Sequence, residues 1–282
     1  MIGALLENAR RVVVKAHQPR ETCRRLQAVH DMQAELFQAG FPCPEPLVAP
    51  VALGRGHATC ETLLDRGEFR DTHEPVCRRL IAEALAWHLS IVAVGNPPVA
   101  LGGGWSLFES ERLWPAHAHA PIFDFEATSA GAEWIDRLAA HAKSAINGAG
   151  RPIAGHSDWS GKHFRFAEEA VTAVYDWDSL AVRSEAALVG VAAMTFTTRF
   201  DLPGVSRAPT PDEMSAFIDE YGAARETALS RDEHEQIAAH ALLLAAYTAR
   251  CEHCGVDGYD GDADPDSFAT ALRTHGSAYL QH

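Results

Sequence analysis

The hydrophobic and polar positions divide the chain into a short strand-rich stretch and a long helix-rich one. Arg11 to Ala16 (RVVVKA) is a β-branched run ending in lysine, the mark of a strand. From Glu21 to Gln38 the apolar residues Leu26, Val29, Met32 and Leu36 recur at intervals of three and four, which predicts an amphipathic helix. Gly40 ends it. The segment FPCPEP that follows reads as an extended connector, because proline excludes helix for itself and its predecessor. Val48 to Leu53 and Ala58 to Leu64 read as two more strands, broken by GRGH. Residues 1–65 are therefore expected to form a small, mostly β lobe with one helix.

Beyond residue 65 the period changes. Pro75 to Val94 is amphipathic at helical spacing through Val76, Leu80, Ala84, Leu85, Leu89 and Val92. Residues 95–125 are loop-rich, and Ala127 to Ile146 predicts a second helix. Short strands are expected around residues 152–177, then helices over 184–199, 211–226, 231–252 and 266–281. Start signals support these helices. Thr210 is an N-cap with Pro211 at the first helical position and Glu213 at the third, and Ser230 with Glu233 repeats the capping box. Asp264-Pro265 is another cap with proline behind it. The expected class is α+β and bilobal, with a helical lobe over 66–282 that carries a hairpin region at 152–178.

Composition narrows the function classes. The chain has 282 residues, 47% of them hydrophobic, and a formal charge of -14. A polyanion repels nucleic acid and anionic membrane, so neither is expected as a partner. No apolar run reaches the roughly 18 residues of a membrane span, and the N-terminus lacks the pattern of a secretory signal. The six cysteines are scattered, and they are expected to be reduced thiols in a cytoplasmic protein. Arginine is abundant, with 21 residues against only three lysines: Lys15, Lys143 and Lys162. Such scarcity singles out each lysine, although codon bias alone gives the same ratio.

The informative segment runs from Ile153 to Asp178. It reads IAGHSDWSGKHFRF, a short acidic turn, and VTAVYDWDSL. Two polar loops at one end of a β-hairpin bring Asp158 and Asp176 close together. Paired carboxylates suit Mg2+, a hard cation that takes oxygen ligands and binds with phosphates. They also suit a division of labour between a base toward a hydroxyl and a metal ligand. Asp equally favours turns and caps, so an ordinary turn role stands as the alternative.

Here the sequence resembles the aminoglycoside phosphotransferase and choline kinase family, the small-molecule branch of the protein-kinase-like fold. The family pattern is His-x-Asp-x-x-x-x-Asn, followed about 15 to 20 residues later by a strand ending in Asp-Trp. This chain has His156-Ser157-Asp158 and then Asp176-Trp177-Asp178. Upstream, Lys15 at a strand end, a helix, the connector Gly40-Phe41-Pro42-Cys43-Pro44, a hinge-like strand and a helix ending near Trp87-His88-Leu89 stand in family order. The resemblance spans roughly residues 10 to 230. It implies ATP- or GTP-dependent transfer of a phosphoryl group to a hydroxyl of a small-molecule acceptor, with Mg2+ or Mn2+. Asp158 would orient or deprotonate that hydroxyl, and His156 would tie the catalytic loop to the backbone near Asp176. Asp176 would hold the metal that bridges the phosphates. Lys15 would contact the α- and β-phosphates. Lys162 would steady a phosphate or stand in solvent.

Three departures accompany the resemblance. His163 occupies the place of the family's Asn, as a substitute metal ligand, a phosphate contact or the sign of a lost second metal site. A Gly-rich loop and its two strands should precede Lys15, yet only 14 residues do and Gly3 is their only glycine. The nucleotide lid is therefore missing, supplied differently, or lost from the start of the sequence. The carboxylate partner of Lys15 is expected on the following helix, at Glu35 or Asp31. These departures also keep open a non-catalytic pseudo-phosphotransferase that binds a ligand or a partner.

Other signals are weaker. Cys251 and Cys254 form half a zinc pattern without a second pair. The acidic stretch 257–266 lacks the glycine and glutamate of a calcium loop. His117 and His119 are expected to line the acceptor cleft, Gly102–Gly104 lie in the wrong lobe for a nucleotide loop, and Trp159 and Trp177 read as packing residues. Asp124, Glu126 and Glu185 would suit a cationic acceptor.

Overall fold

Strand β1 (Ile2–Leu5) pairs with β2 (Arg11–His17), β2 with β4 (Gly56–Thr62), and β4 with β3 (Pro46–Leu53). All are antiparallel, in the spatial order β1-β2-β4-β3. This is seen in a computed structural model that describes residues 1–102, 106–115, 123–148, 150–255 and 264–280. Helix α1 (Cys23–Gln38) starts at Thr22, whose side chain accepts a hydrogen bond from the Arg25 amide. It buries Leu26, Val29, Met32 and Leu36 at the spacing expected from the sequence, and it packs on β3 and on the first helix of the second lobe.

Strand β1 was not anticipated. The 14 residues before Lys15 hold one whole strand and the start of the next. The turn between them closes without glycine, through a left-handed Ala9 (φ 63°) and a bond from the Arg10 amide to the Asn8 side chain. Gly3 sits within β1, in an ordinary strand conformation. Pairing with β2 makes Ile2–Leu5 a strand, since so short a segment has no readable period of its own.

The second lobe is helical. Helix α2 (Pro75–Val92) leads into it, and α3 (Glu133–Ala145) follows the loop-rich insertion. Strand β5 (Pro152–His156) pairs with β8 (Leu180–Ser184), and between them β6 (Phe164–Ala167) pairs with β7 (Ala170–Val174). Helices α4 (Glu185–Thr195), α5 (Pro211–Ala224), α6 (Arg231–His253) and α7 (Phe268–His275) complete the described chain. Both expected capping boxes form, at Thr210 with Glu213 and at Ser230 with Glu233. Helix α6 packs on α3, α4 and α7. Helix α4 is buried along its whole length from Ala187 to Met194, so it is apolar on every face.

Three helices are shorter than their apolar patterns. Asp124 accepts the amides of Glu126 and Ala127 and makes a turn there, and Gly131 takes a left-handed φ of 83°, so α3 begins only at Glu133. Gly276 (φ 51°) stops α7, and Gly276–Leu280 wind as a 3-10 turn. The helix expected over 184–199 stops at Thr195, where the side chains of Thr197 and Thr198 turn to the Arg207 carbonyl. No helix among the described residues is long and apolar enough to cross a membrane.

Helices α4 and α6 cross closely because Gly190 has no side chain. A Cβ there would lie 2.7 Å from the Ile237 carbonyl oxygen and 2.8 Å from the His240 Cβ. Alanine normally favours a helix interior by up to about 1 kcal/mol over glycine. Here the clash should win, because a backbone oxygen cannot swing aside. Gly190→Ala is expected to destabilise the fold by about 1–3 kcal/mol, the usual range for overpacking. Urea unfolding with an unchanged or raised midpoint would show that the crossing is not so tight.

Candidate active site

The site is built where β5 and β7 end. Strand β5 stops at His156, which is fully buried. Its Nδ1 accepts the Asp158 amide at 3.2 Å, so its Nε2 carries the proton and donates to the Tyr175 carbonyl at 2.9 Å. One ring thus links the loop after β5 to the residue before Asp176. The Ser157 amide and hydroxyl both donate to the Ser179 carbonyl, a second tie between the same loops. The His163 carbonyl accepts the Tyr175 amide at 3.1 Å, a third.

Aromatic rings form the floor. Trp159 and Trp177 are fully buried, as packing residues should be, and their indoles donate to the carbonyls of Ile81 and Val174. His88 stacks on Trp159 with centroids 5.5 Å apart, and Trp177 stands edge-on to both His88 and His156. His88 Nε2 accepts the His156 amide at 3.3 Å. Burial, then the nearby His156, pushes His88 down to about 3. Burial, then His163, pushes His156 down to about 4 despite the raising effect of its carboxylate neighbours. Both rings are neutral near pH 7.

Above this floor the polar groups converge. Asp158 Oδ1 accepts the Ser160 hydroxyl at 2.6 Å. Its Oδ2 meets Lys162 Nζ at 2.9 Å and His163 Nε2 at 3.0 Å. Burial works to raise its pKa, but the His163 hydrogen bond and the Lys162 charge outweigh it. They hold Asp158 well below the usual carboxylate range. Asp176 has a left-handed backbone (φ 66°, ψ 44°), which turns the chain sharply after β7. Its Oδ2 accepts the Ser179 hydroxyl at 2.8 Å and lies 3.8 Å from His163 Nε2. Donor atoms of Asp158, His163 and Asp176 all fall within 4.8 Å of one another. That set of two carboxylates and one imidazole fits a divalent cation.

Lys15 stands on β2 and is buried. It does not meet the carboxylates expected for it. Asp31 is exposed and bonds Gln27 on the outer face of α1, and Glu35 is exposed as well. The partner is Glu61 on β4, at 2.9 Å, with Asp178 at 3.7 Å. Register explains the choice. Lys15 lies opposite Thr59 in the β2–β4 ladder, so Glu61, two residues on, shares its face. The buried residue that α1 sends toward this pair is Gln33, which donates to Glu61 at 3.1 Å. Burial opposes the charge on Lys15, but Glu61, Asp178 and Asp176 outweigh it and raise its pKa. The signal for Glu61 was the alternation along β4, readable only once the register of the two strands is known. Asp178 also faces His17 Nδ1 at 3.9 Å. Its carbonyl accepts from Arg25 of α1, which joins the lobes beside the site.

The residues considered for a cationic acceptor lie elsewhere. Glu185 takes the Tyr221 hydroxyl at 2.7 Å and Arg225 at 2.9 Å. It lines a cavity of about 940 Å³ with Trp87, Ile153 and Gln236. That cavity is at the other end of β5, because Pro152 pairs with Ser184 while His156 pairs with Leu180. Asp124 caps its turn, and Glu126 is exposed beside it. His117, His119, Gly103, Gly104 and residues 257–263 lie outside the described residues.

The model of the phosphotransferase enzyme family matches residues 4–241. Among solved structures, an amicoumacin kinase in complex with AMP-PNP, Ca2+ and Ami superposes with a TM-score of 0.71 at 11% identity, covering 98% of this chain and 84% of that one. A choline/ethanolamine kinase family protein from Mesorhizobium loti gives 0.56 at 14% identity, covering 95% and 85%. A choline kinase from Streptococcus pneumoniae gives 0.54 at 13%, covering 99% and 89%. At such identities these likenesses establish the fold, the α+β bilobal kinase-like architecture. No curated protein matches the chain in sequence.

The neutral histidines make a prediction about pH. In the unfolded chain His88 titrates near 6.5, whereas in the fold it stays neutral down to about 3. Between those values the unfolded chain binds the extra proton, so stability rises with pH and is lost as pH falls below about 6.5. From pH 7 to pH 5 the loss through His88 should be on the order of 2 kcal/mol. His88→Gln, whose amide oxygen can still accept the His156 amide, is expected to show a smaller loss in urea unfolding at the two pH values. An equal loss in both proteins would mean that His88 is protonated in the fold.

Proposed function

Since the chain belongs to the phosphotransferase enzyme family, we propose that it is an ATP-dependent O-phosphotransferase acting on a hydroxyl of a small molecule. The observation that carries this reading is the convergence of Asp158, His163 and Asp176 at the ends of β5 and β7, with Lys15 held by Glu61 above them. ATP is the donor proposed, and GTP would meet the same phosphate contacts. The amicoumacin kinase structure, which contains AMP-PNP and Ca2+, supports a nucleotide–metal complex in this fold.

The roles follow from the geometry. Asp158, kept ionised, orients the acceptor hydroxyl and takes its proton as the oxygen attacks phosphorus. Lys162 holds Asp158 in place through its ion pair, from a half-exposed position that a phosphate oxygen can also reach. Lys15, kept protonated and aimed by Glu61, contacts the α- and β-phosphates. His156 touches no reacting atom; it positions Asp158 and Asp176 relative to each other. Asp176, with His163, would hold Mg2+ or Mn2+, which when bound neutralises charge on the transferred phosphoryl group. The lobe boundary proposed for this reading falls near residue 65, beside the Leu64 carbonyl that accepts the Tyr175 hydroxyl.

A second reading, binding without turnover, draws on one observation. Both Asp158 oxygens already have partners in Ser160, Lys162 and His163. One experiment decides between the two. Purified protein with ATP, Mg2+ or Mn2+, and a panel of amino-sugars and amino-alcohols should form ADP in an acceptor-dependent way. Asp158→Asn is expected to lower kcat by about 10²–10⁴, the usual contribution of a positioned base. Asp176→Asn should abolish turnover, because Asn keeps the left-handed backbone while removing the charge. Turnover unchanged in both variants would overturn the assignment, and ATP–metal binding without turnover on any acceptor would favour the second reading.

A further inference from the structure

The imidazole of His163 is a nitrogen donor placed between two carboxylates where Mg2+ wants only oxygen. Its backbone is fixed on both sides, by its own amide on the Ser160 carbonyl at 3.0 Å and by the Tyr175 amide on its carbonyl. The side chain is largely buried, with 13% exposed, and Nε2 points at Asp158 Oδ2 (3.0 Å) and Asp176 Oδ2 (3.8 Å). Lys162 meets the same Asp158 oxygen at 2.9 Å and Ser160 takes the other, so Asp158 keeps an ion pair and a hydrogen bond when the ring turns to an ion. Two donors on one ion with bonds of about 2.1 Å can be up to roughly 4.2 Å apart, so Nε2 and the Asp176 oxygen are already within reach of a shared cation. We infer that His163 makes this a nitrogen–oxygen site that selects a first-row transition ion, of the Mn2+ class, over Mg2+.

The chemistry is that of ligand preference. Mg2+ demands near-octahedral oxygen coordination and sheds water reluctantly. Imidazole bonds more strongly to the transition ions, increasingly from Mn2+ toward Cu2+. Binding needs no co-reactant. To bind the ion, Nε2 gives up the proton it now directs at Asp158, to Nδ1 or to solvent, and offers its lone pair. An asparagine at this place would offer a carbonyl oxygen and no such preference.

The inference rests on the metal role proposed for Asp176, and the test separates the two. Mn2+ is titrated into wild type, His163→Asn and Asp176→Asn with AMP-PNP present, with bound Mn2+ followed by electron paramagnetic resonance. Mg2+ competition then measures selectivity. Wild type should show nitrogen modulation of the Mn2+ signal that changes on ¹⁵N-histidine labelling and is absent in His163→Asn. Its preference for Mn2+ over Mg2+ should exceed that of His163→Asn at least tenfold. The labelling arm uses wild type alone, so it decides even if the variant folds poorly. Mn2+ bound in an Asp176-dependent way without histidine nitrogen would overturn the inference and leave the phosphotransferase reading standing. Absence of Asp176-dependent Mn2+ binding would overturn both.

Discussion

The polar part of the site hangs on one imidazole that must stay neutral. His156 accepts from the Asp158 amide on one nitrogen and donates to the Tyr175 carbonyl with the other, so both ring atoms are committed. A second proton would set an Nδ1–H donor against the Asp158 amide donor, in a ring that is fully buried against tryptophan. Burial prevents that protonation, and burial in turn comes from Trp159, Trp177 and His88. Hydrophobic packing thus sets the charge state of the linking ring. The linking ring sets the distance between the loop that carries Asp158 and the strand end that carries Asp176.

The lysines show how sparingly positive charge is spent. Lys15 and Lys162 both stand at the site, each against carboxylate. Lys143, the third, is structural: it reaches from α3 to the carbonyls of Leu107 and Arg112 and tethers the insertion before α3. Arginine takes the remaining joints. Arg25 ties α1 to the chain after Asp176, and Arg78 pairs with Glu220 to join α2 and α5. A planar, forked guanidinium suits such fixed joints, whereas an ammonium on a flexible stem suits a contact that must adapt to a ligand.

Much of this arrangement was legible in the chain because it is encoded locally. The helical periods of α1 and α2, the capping boxes of α5 and α6, and the order of His156, Asp158 and Asp176 need only neighbouring residues to be read. What escaped was set by partners far along the sequence. Strand β1 exists because β2 offers it a ladder. Glu61 rather than Glu35 or Asp31 meets Lys15 because a strand register, and not a helix period, decides which carboxylate faces inward. The late start of α3 followed from a turn that Asp124 caps, against an apolar pattern that continued through it. The β5–β8 pairing places Glu185 beside Ser184, at the end of β5 away from His156.

The left-handed turn at Asp176 has a consequence for how this chain could change over generations. Only glycine, asparagine and aspartate take that backbone at little cost. Most substitutions there would strain the turn as well as remove the carboxylate, and the damaged fold would be cleared from the cell. A change to asparagine is different, since it keeps the turn and discards the charge. A lineage drifting from a working site toward a silent one therefore has a narrow door at this position, and a well-folded descendant that had passed through it would be expected to carry Asn or Gly there.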